Sequence, residues 1–259
     1  MKKIFSVVLA AAMVLSLTAC GEEKSISDAT GSLTSTSAEA SVETSVETST
    51  EASVEASVET STEEVVEEDD SFDIGTVESD VYENEFFNIK VTAAEGFAFA
   101  DSDTIAAIGQ ATAEAFADSE SDVAQLTADA INSGATITDF YLADEDFLST
   151  MNLAISSGKG LSSKDLDKFL DAMIPLLEET FTSQGYVNVK SVRTTTTFCG
   201  EEVSCIFTTC EVPISETETV ETFVKQVELI KDDYAACITA NTYFEDSTDD
   251  LFAMVSKLN

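Results

Sequence analysis

The spacing of hydrophobic and polar residues changes several times between residues 87 and 258, and each change predicts an element. The segment FNIKVTAA alternates apolar and polar residues, which predicts a strand followed by a turn at Glu95 and Gly96. Apolar residues three and four apart predict helices near 104–116 and 123–131, and Gly134 is placed to end the second. ATITDFYLADE and STMNLAISS return to the strand pattern.

The clearest helical pattern lies in LSSKDLDKFLDAMIPLLEETFTSQG. A serine lies at its start, Gly185 ends it, and Pro175 inside it predicts a kink or a shift in register. Seven apolar side chains form one stripe along this helix: Leu166, Phe169, Leu170, Met173, Ile174, Leu177 and Phe181.

Four longer strand patterns follow, in YVNVKSVRTTTTF, EEVSCIFTTCEV, VETFVKQVELI and YAACITANTY. Polar turns at Gly200–Glu201 and Asp232–Asp233 predict antiparallel hairpins. A last helix is predicted after Ser247, with its apolar side formed by Leu251, Met254, Val255 and Leu258. The predicted fold class is α+β: a single sandwich domain with a mainly antiparallel sheet flanked by helices, preceded by a disordered acidic linker.

The N-terminal residues have the order of a secretory signal. Lys2 and Lys3 precede the apolar run IFSVVLAAAMVLSL, which is too short for a comfortable membrane span. The four residues that end the run resemble the lipobox of bacterial lipoproteins: Leu17, Thr18, Ala19 and Cys20. The resemblance implies that residues 1–19 are a signal peptide, that Cys20 carries a diacylglyceryl anchor, and that the protein lies on the extracytoplasmic face of the cell membrane. The alternative is an ordinary signal peptide with an incidental cysteine.

Residues 20–71 are dominated by Ser, Thr, Glu, Ala and Val, with a glutamate at nearly every fourth position. A helix would stack like charges without basic partners, and a calcium site would need oxygens that converge from a turn. We therefore predict a disordered tether with a reach of about 40 Å. Aromatic residues return at Phe72, where we place the start of a domain that continues to Asn259.

Charge and composition exclude several function classes. The formal net charge is −38, which disfavours binding to nucleic acid and to anionic lipids through repulsion of their phosphates. Histidine is absent, so Ser-His-Asp catalysis, Cys-His catalysis and histidine metal ligands are excluded. No cofactor and no metal site are predicted.

Beyond Cys20 the chain has an even number of cysteines: Cys199, Cys205, Cys210 and Cys237. The predicted hairpins place Cys205 opposite Thr196, Cys210 opposite Ser191 and Cys237 opposite Glu228, so no two cysteines face each other. Buried free thiols are the favoured interpretation; a single disulfide and a C-x5-C-x4-C zinc site are the alternatives.

Two further patterns have simple structural interpretations. SSGKGLSSKD lacks the residues of a phosphate-binding loop and is interpreted as a surface turn leading into a helix. The acidic clusters ADSDT, DSESD, DEDF and EDSTDD are interpreted as solvated helix caps, with a weak surface calcium site as the alternative. A glycosidase with paired carboxylates is less favoured, because the chain has no Trp to form a sugar platform.

Several segments together resemble a family of uncharacterised lipoproteins from Gram-positive, clostridia-type bacteria: YENEFFNIKVTAAEGFAFADSD, the helix ending at Gly185, TTFCGEEVSCIFTT and FVKQVELIKDDYAACITANTYFED. The resemblance implies a PsbP-like α/β/α sandwich on an acidic stalk, and it implies no catalytic residues. Asn88 stands where such chains often have Gly, and Asn tolerates the left-handed backbone of that turn. Phe97 stands where Trp is common.

These observations predict a membrane-anchored extracytoplasmic lipoprotein that presents a non-catalytic binding domain on an acidic stalk. Its expected partners are the bacterial membrane, through the lipid on Cys20, and an envelope protein or ligand whose identity the sequence leaves open. The alternative is an envelope enzyme that uses carboxylates or a thiol.

Overall fold

The structure is a computed structural model and describes residues 74–117, 121–215 and 217–258. The predicted signal peptide, the lipobox, the tether and the predicted domain start at Phe72 lie outside these ranges. Within the described ranges, no helix combines the length and the apolar character needed to cross a bilayer.

Seven antiparallel strands form the larger sheet, in the order β4-β5-β6-β10-β9-β8-β7. The strands are β4 (Phe97–Phe99), β5 (Thr136–Asp144), β6 (Ser149–Ser157), β7 (Val187–Phe198), β8 (Glu201–Pro213), β9 (Thr219–Lys231) and β10 (Tyr234–Tyr243). The runs of β-branched and aromatic residues favour these long strands. The hairpins β7-β8-β9-β10 follow one another along the chain, as the sequence predicts.

A second, four-stranded sheet has the order β1-β2-β3-β11 and was not predicted as a separate sheet. Its strands are β1 (Thr76–Glu78), β2 (Val81–Asn84), β3 (Ile89–Thr92) and β11 (Val255–Lys257). Asn88 has a φ of 55°, so the left-handed turn expected from the family resemblance is present between β2 and β3.

The helices are α1 (Ser102–Ala117), α2 (Asp122–Ser133), α3 (Leu166–Ser183) and the short α4 (Thr248–Phe252), and a 3-10 turn at Ser163–Asp165 precedes α3. Ser121 accepts a hydrogen bond from the backbone N–H of Ala124 at the start of α2, and Gly134 ends α2 with a φ of 74°. Helix α3 continues through Pro175.

The elements form three layers, and alternation along the strands assigns each apolar cluster to one face of the larger sheet. Phe140 and Leu142 of β5 pack with the four-stranded sheet and α4, whereas Tyr141 and Ala143 pack with α1 and α2. Ile206 of β8 packs with the apolar stripe of α3. The α+β class, with an antiparallel sheet flanked by helices, is therefore confirmed.

A partly buried contact around Asp139 holds the first described residues on this framework. The Asp139 carboxylate accepts hydrogen bonds from the Tyr82 hydroxyl at 2.6 Å, from the Asn84 side-chain amide at 3.0 Å and from the Gly75 backbone N–H at 2.9 Å. A Cβ atom on Gly75 would collide with the Tyr82 ring, so only glycine permits this approach. Burial, reinforced by the neighbouring carboxylate, raises the pKa of Tyr82 well above its ordinary value.

Two sequence predictions were wrong. The last helix was expected to carry Met254, Val255 and Leu258, but it ends at Phe252 and the chain continues as β11, which pairs with the free edge of β3. The edge pairing satisfies backbone groups that a helix would have satisfied internally.

The register of the first hairpin was also wrong. Its two-residue loop consists of Cys199 and Gly200, because Phe198 pairs with Glu201. Both loop residues have positive φ, which matches the twist of a tight hairpin. Cys205 therefore lies opposite Thr194, and Ser191 lies opposite Thr208 rather than Cys210. Cys210 lies opposite the irregular segment of β7, where the register shifts between Val187 and Lys190.

Candidate functional site

One part of the larger sheet is covered by neither helices nor the second sheet. On the face that packs against the four-stranded sheet, α4 reaches the central strands through Leu251 and Phe252. Beyond α4, the segments of β7, β8 and β9 nearest the β8–β9 loop carry side chains that are exposed or half-buried. We call this surface the open face and define it by six residues: Val192, Phe207, Thr209, Glu211, Glu221 and Phe223.

Two aromatic side chains form the apolar part of the open face. Phe207 of β8 and Phe223 of β9 are both half-buried, with ring centroids 6.5 Å apart and ring planes inclined by 12°. Val192 of the edge strand β7 pairs directly with Phe207 and is 40% exposed. Cross-strand pairing accounts for this arrangement, because every second residue of each strand faces the same side.

A buried lysine limits the open face on the side of α4. The Lys225 ammonium donates a hydrogen bond of 2.7 Å to the Asp249 carboxylate and lies 5.4 Å from the centroid of the Phe207 ring. The Thr196 hydroxyl donates to the same carboxylate at 2.6 Å. Lys225 is the first cause that lowers the pKa of Asp249. The lysine charge is therefore neutralised within the fold.

Two glutamates lie directly opposite each other at the other end of the open face. Glu211 of β8 pairs with Glu221 of β9, one row beyond the Thr209–Phe223 pair. The Glu211 carboxylate accepts hydrogen bonds from Thr219 at 2.7 Å and from Asn188 at 2.8 Å, and these donors lower its pKa. Glu211 is thus ionised at neutral pH. Neutral donors therefore stabilise the Glu211 carboxylate, and no lysine or arginine of the described residues forms an ion pair with either glutamate.

Other side chains surround this pair. Phe244 is 59% exposed, and its backbone N–H donates to the Glu221 carbonyl at 3.0 Å, so an exposed aromatic residue follows the end of β10 beside the acidic pair. Lys190 pairs with Thr209 across the strands and is an exposed basic residue on the rim. Glu245 and Asp246 next to Phe244 are exposed acids. The surroundings of the aromatic residues thus carry more acidic than basic groups.

The opposite face of the same sheet carries six buried, mostly polar residues between the apolar cluster of α3 and the apolar cluster of α1 and α2. We call it the polar strip: Asn152 of β6, Gln226 and Glu228 of β9, and Cys237, Thr239 and Asn241 of β10, all buried. Burial raises the pKa of Glu228 to about 7, and the Cys237 thiol on the opposite residue of β10 offsets part of this rise. The prediction that Cys237 faces Glu228 is confirmed.

Several polar atoms of this region have no hydrogen-bond partner among the residues that the structure describes. They include Oε1 of Gln226 and the hydroxyl of Thr222. The Gln226 amide does donate to the Thr239 hydroxyl at 3.3 Å. Buried polar groups of this kind ordinarily bind ordered water, so the polar strip is the part of the interior most suited to hold it.

The four domain cysteines are free thiols, as the favoured interpretation predicted, and no two of them lie on paired residues. Burial raises the pKa of Cys205 to about 11 and that of Cys210 to about 12, and it raises the pKa of Cys237 well above its usual range. Cys199 is half-buried and also has a raised pKa, again because of burial. A reactive thiol needs a lowered pKa, so these four are poor nucleophiles.

The acidic clusters lie largely at turns and helix starts. Asp101 accepts a hydrogen bond from the Thr104 backbone N–H at 2.8 Å, and Asp144 accepts one from the Leu148 backbone N–H at 2.8 Å. The Asp101 contact supports the interpretation as a helix cap, whereas the Asp144 contact closes the turn between β5 and β6, where no helix begins. Among the described residues, no group of three or more Cys, Asp and Glu side chains is arranged to hold a metal ion.

The SSGKG segment forms a surface turn, as predicted. The Gly158 backbone N–H donates to the Asp233 carbonyl at 2.7 Å, and a Cβ atom on Gly158 would overlap the Tyr234 backbone. A close approach of two chain segments therefore explains this glycine.

Sequence reasoning did not identify the open face. A signal was present, because Phe207 and Phe223 alternate in step with the core residues Cys205 and Val227. The sequence pattern could not show that α4 and the four-stranded sheet end before they cover Phe207 and Phe223.

No protein-family model matches the chain, and no curated protein matches it significantly. Among solved structures, the chain is similar to the solution structure of cyanobacterial PsbP (CyanoP) from Synechocystis sp. PCC 6803. The identity is 11%, the TM-score is 0.38, and the alignment covers 71% of this chain and 95% of that chain. At this distance, nothing about function, ligands or partners transfers from CyanoP to this chain.

Proposed function

We propose that this protein is an extracytoplasmic lipoprotein, anchored through Cys20, whose folded domain binds a partner polypeptide through the open face without catalysing a reaction. The observation that carries the proposal is the open face itself: an uncovered segment of sheet with half-buried Phe207 and Phe223 beside exposed Val192. Aromatic side chains on an exposed sheet face are typical anchors of protein interfaces.

The anchor is supported by the residues that precede the tether. Leu17, Thr18, Ala19 and Cys20 follow a charged and then an apolar segment in the order of a lipoprotein signal. A diacyl chain would hold the protein stably at a membrane, and the acidic tether would keep the domain away from the bilayer.

Fractionation of the producing cells tests the anchor. The wild-type chain should appear in the membrane fraction and should incorporate labelled fatty acid. The Cys20→Ser variant should lose the label and leave the membrane fraction. Retention of both properties by the variant would contradict the proposed anchor.

Site-specific photo-crosslinking tests the open face in intact cells. The photoreactive residue p-benzoylphenylalanine replaces Phe223, Phe207 or, as the control, Phe147, which is 42% exposed in the β5–β6 turn. Discrete adducts of the same mass from Phe223 and Phe207, absent from Phe147, would support the proposal. Equal adducts from all three positions, or none from the open face, would refute it.

The alternative enzyme is disfavoured by the chemistry of the described residues. A thiol enzyme needs an exposed cysteine of lowered pKa, whereas the pKa values of the four domain cysteines are raised. Glu228 is a buried carboxyl whose described neighbour is the Cys237 thiol rather than a second acid, so the polar strip does not supply the paired carboxylates of an acid–base mechanism.

A further inference from the structure

We infer that the segment bound by the open face is basic, with Lys or Arg side chains that lie over the Glu211–Glu221 pair and apolar side chains that pack on Phe207 and Phe223. The inference rests on the proposed function and adds the chemistry of the partner. Its central observation is the cross-strand pairing of two glutamates beside an aromatic pair.

Neither glutamate forms an ion pair with a lysine or arginine of the described residues, although Lys190 lies on the rim of the same face. The hydrogen-bond partners of Glu211 are neutral, namely Thr219 and Asn188, so neither supplies a positive charge. The nearest lysine on the same face of β9, Lys225, is already paired with Asp249 at 2.7 Å. A cation from outside the domain would form a charged hydrogen bond with these carboxylates, an interaction that no lysine or arginine of the described residues makes.

The neighbouring aromatic rings fit the same kind of segment. The faces of Phe207 and Phe223 attract cations and also pack against the methylene groups of Lys or Arg. A segment that alternates basic and apolar residues could therefore contact both parts of the open face at once.

Negative charge argues against three other occupants of the open face: the tether, a second copy of the domain and an anionic membrane. Residues 20–71 contain 15 acidic residues and one basic residue, Lys24, so the tether is repelled by the acidic pair. A second copy of the domain would bring another Glu211–Glu221 pair to the contact. Anionic lipid headgroups would be repelled in the same way. The tether, a second copy of the domain and an anionic membrane are thus all repelled, whereas a basic polypeptide is attracted.

Binding of a defined probe tests the inference. The full chain with Cys20→Ser is titrated with a short synthetic peptide that contains lysine and leucine, and binding is followed by backbone amide chemical shifts. Two comparator peptides replace lysine with glutamate or leucine with serine. The lysine–leucine peptide should shift the amides of Thr209, Glu221 and Phe223, and both comparators should bind more weakly.

Matched variants separate a specific site from general attraction to an acidic protein. Glu211→Gln with Glu221→Gln should weaken peptide binding about three- to tenfold, as expected for loss of two exposed charge contacts. Asp232→Asn with Asp233→Asn removes the same charge at the exposed β9–β10 turn and should change binding less than about twofold. Circular dichroism should show that both double variants are folded.

The experiments distinguish failure of the basic-partner inference from failure of the open face as a binding surface. Equal weakening by the two double variants, or shifts spread over the whole surface, would overturn the basic-partner inference. If crosslinks form at Phe223 and Phe207 but the glutamate variants leave them unchanged, the open face binds a partner and only its basic character is wrong. If neither crosslinks nor localised shifts occur, both statements fail.

Discussion

The buried carboxyl of Glu228 makes the stability of the domain depend on pH in a direction opposite to that of most acids. Its pKa is about 7 in the folded protein and 4.5 in an ordinary environment, because burial disfavours the charged form. The folded state therefore holds this proton more tightly than the unfolded state. This contribution to stability is greatest at low pH, is lost as the pH rises from about 4.5 through 7, and changes little above about pH 8.

The magnitude follows from the difference between the two values. About 2.5 pH units at about 1.4 kcal/mol each correspond to about 3.5 kcal/mol of stability lost once Glu228 is ionised. Most of that loss falls between pH 5 and pH 8. For a domain of this size, it corresponds to a Tm difference of about 7–14 °C.

The Glu228→Gln variant removes the ionisation while keeping the shape of the side chain. The gain in stability relative to wild type should be about 2–3 kcal/mol larger at pH 8 than at pH 5, measured by urea denaturation at both values. Any packing cost of the glutamine is the same at both pH values and cancels from this comparison. Glu202→Gln, on an exposed residue of β8, is the matched control and should show no such difference.

Two results would refute the reasoning. An equal effect of Glu228→Gln at pH 5 and pH 8 would mean that the carboxyl does not titrate between them. A variant that is destabilised more at pH 8 than at pH 5 would mean that ionised Glu228 is stabilised by an interaction within the polar strip.

Three further predictions concern the framework and the thiols. Asp139→Ala should destabilise the domain by about 2–4 kcal/mol in chemical denaturation, because it leaves the Tyr82 hydroxyl and the Gly75 N–H without their acceptor. Gly75→Ala should release β1 and speed amide hydrogen exchange there without exposing the β7–β10 hairpins, since its methyl group meets the Tyr82 ring. In a thiol-labelling experiment on the native Cys20→Ser chain, half-buried Cys199 should react first, and fully buried Cys237 should react only on unfolding; simultaneous labelling would contradict the burial order.

The long elements could be predicted from sequence because local pattern and tertiary environment agree. The apolar stripe of α3 and the alternation in β6 and β10 correspond to buried sides of those elements, and Gly134 and Gly185 end their helices with positive φ. Prediction failed where tertiary contacts, rather than the local pattern, determine whether a segment is a helix or a strand. Val255 and its neighbours fit either a helix or a strand, and the unpaired edge of β3 selects the strand.

The local sequence pattern could not predict the open face as an exposed surface. Alternation places Phe207, Phe223 and Glu221 on one face of the sheet, but whether that face is covered depends on where α4 and the four-stranded sheet stop. The polar strip was missed for the same reason: Gln226 and Glu228 alternate with apolar residues as solvent-facing residues would, yet both are buried in the fold.

The two acid pairings on the same sheet face differ in a way that separates folding from binding. Asp249 has an internal cation, Lys225, and a second donor, Thr196, so its charge serves the packing of α4 against β9. Glu211 and Glu221 face each other across β8 and β9, and neither forms an ion pair with a lysine or arginine of the described residues. The charge of Asp249 is therefore used inside the fold, whereas the charges of Glu211 and Glu221 are available to a partner that brings positive charge.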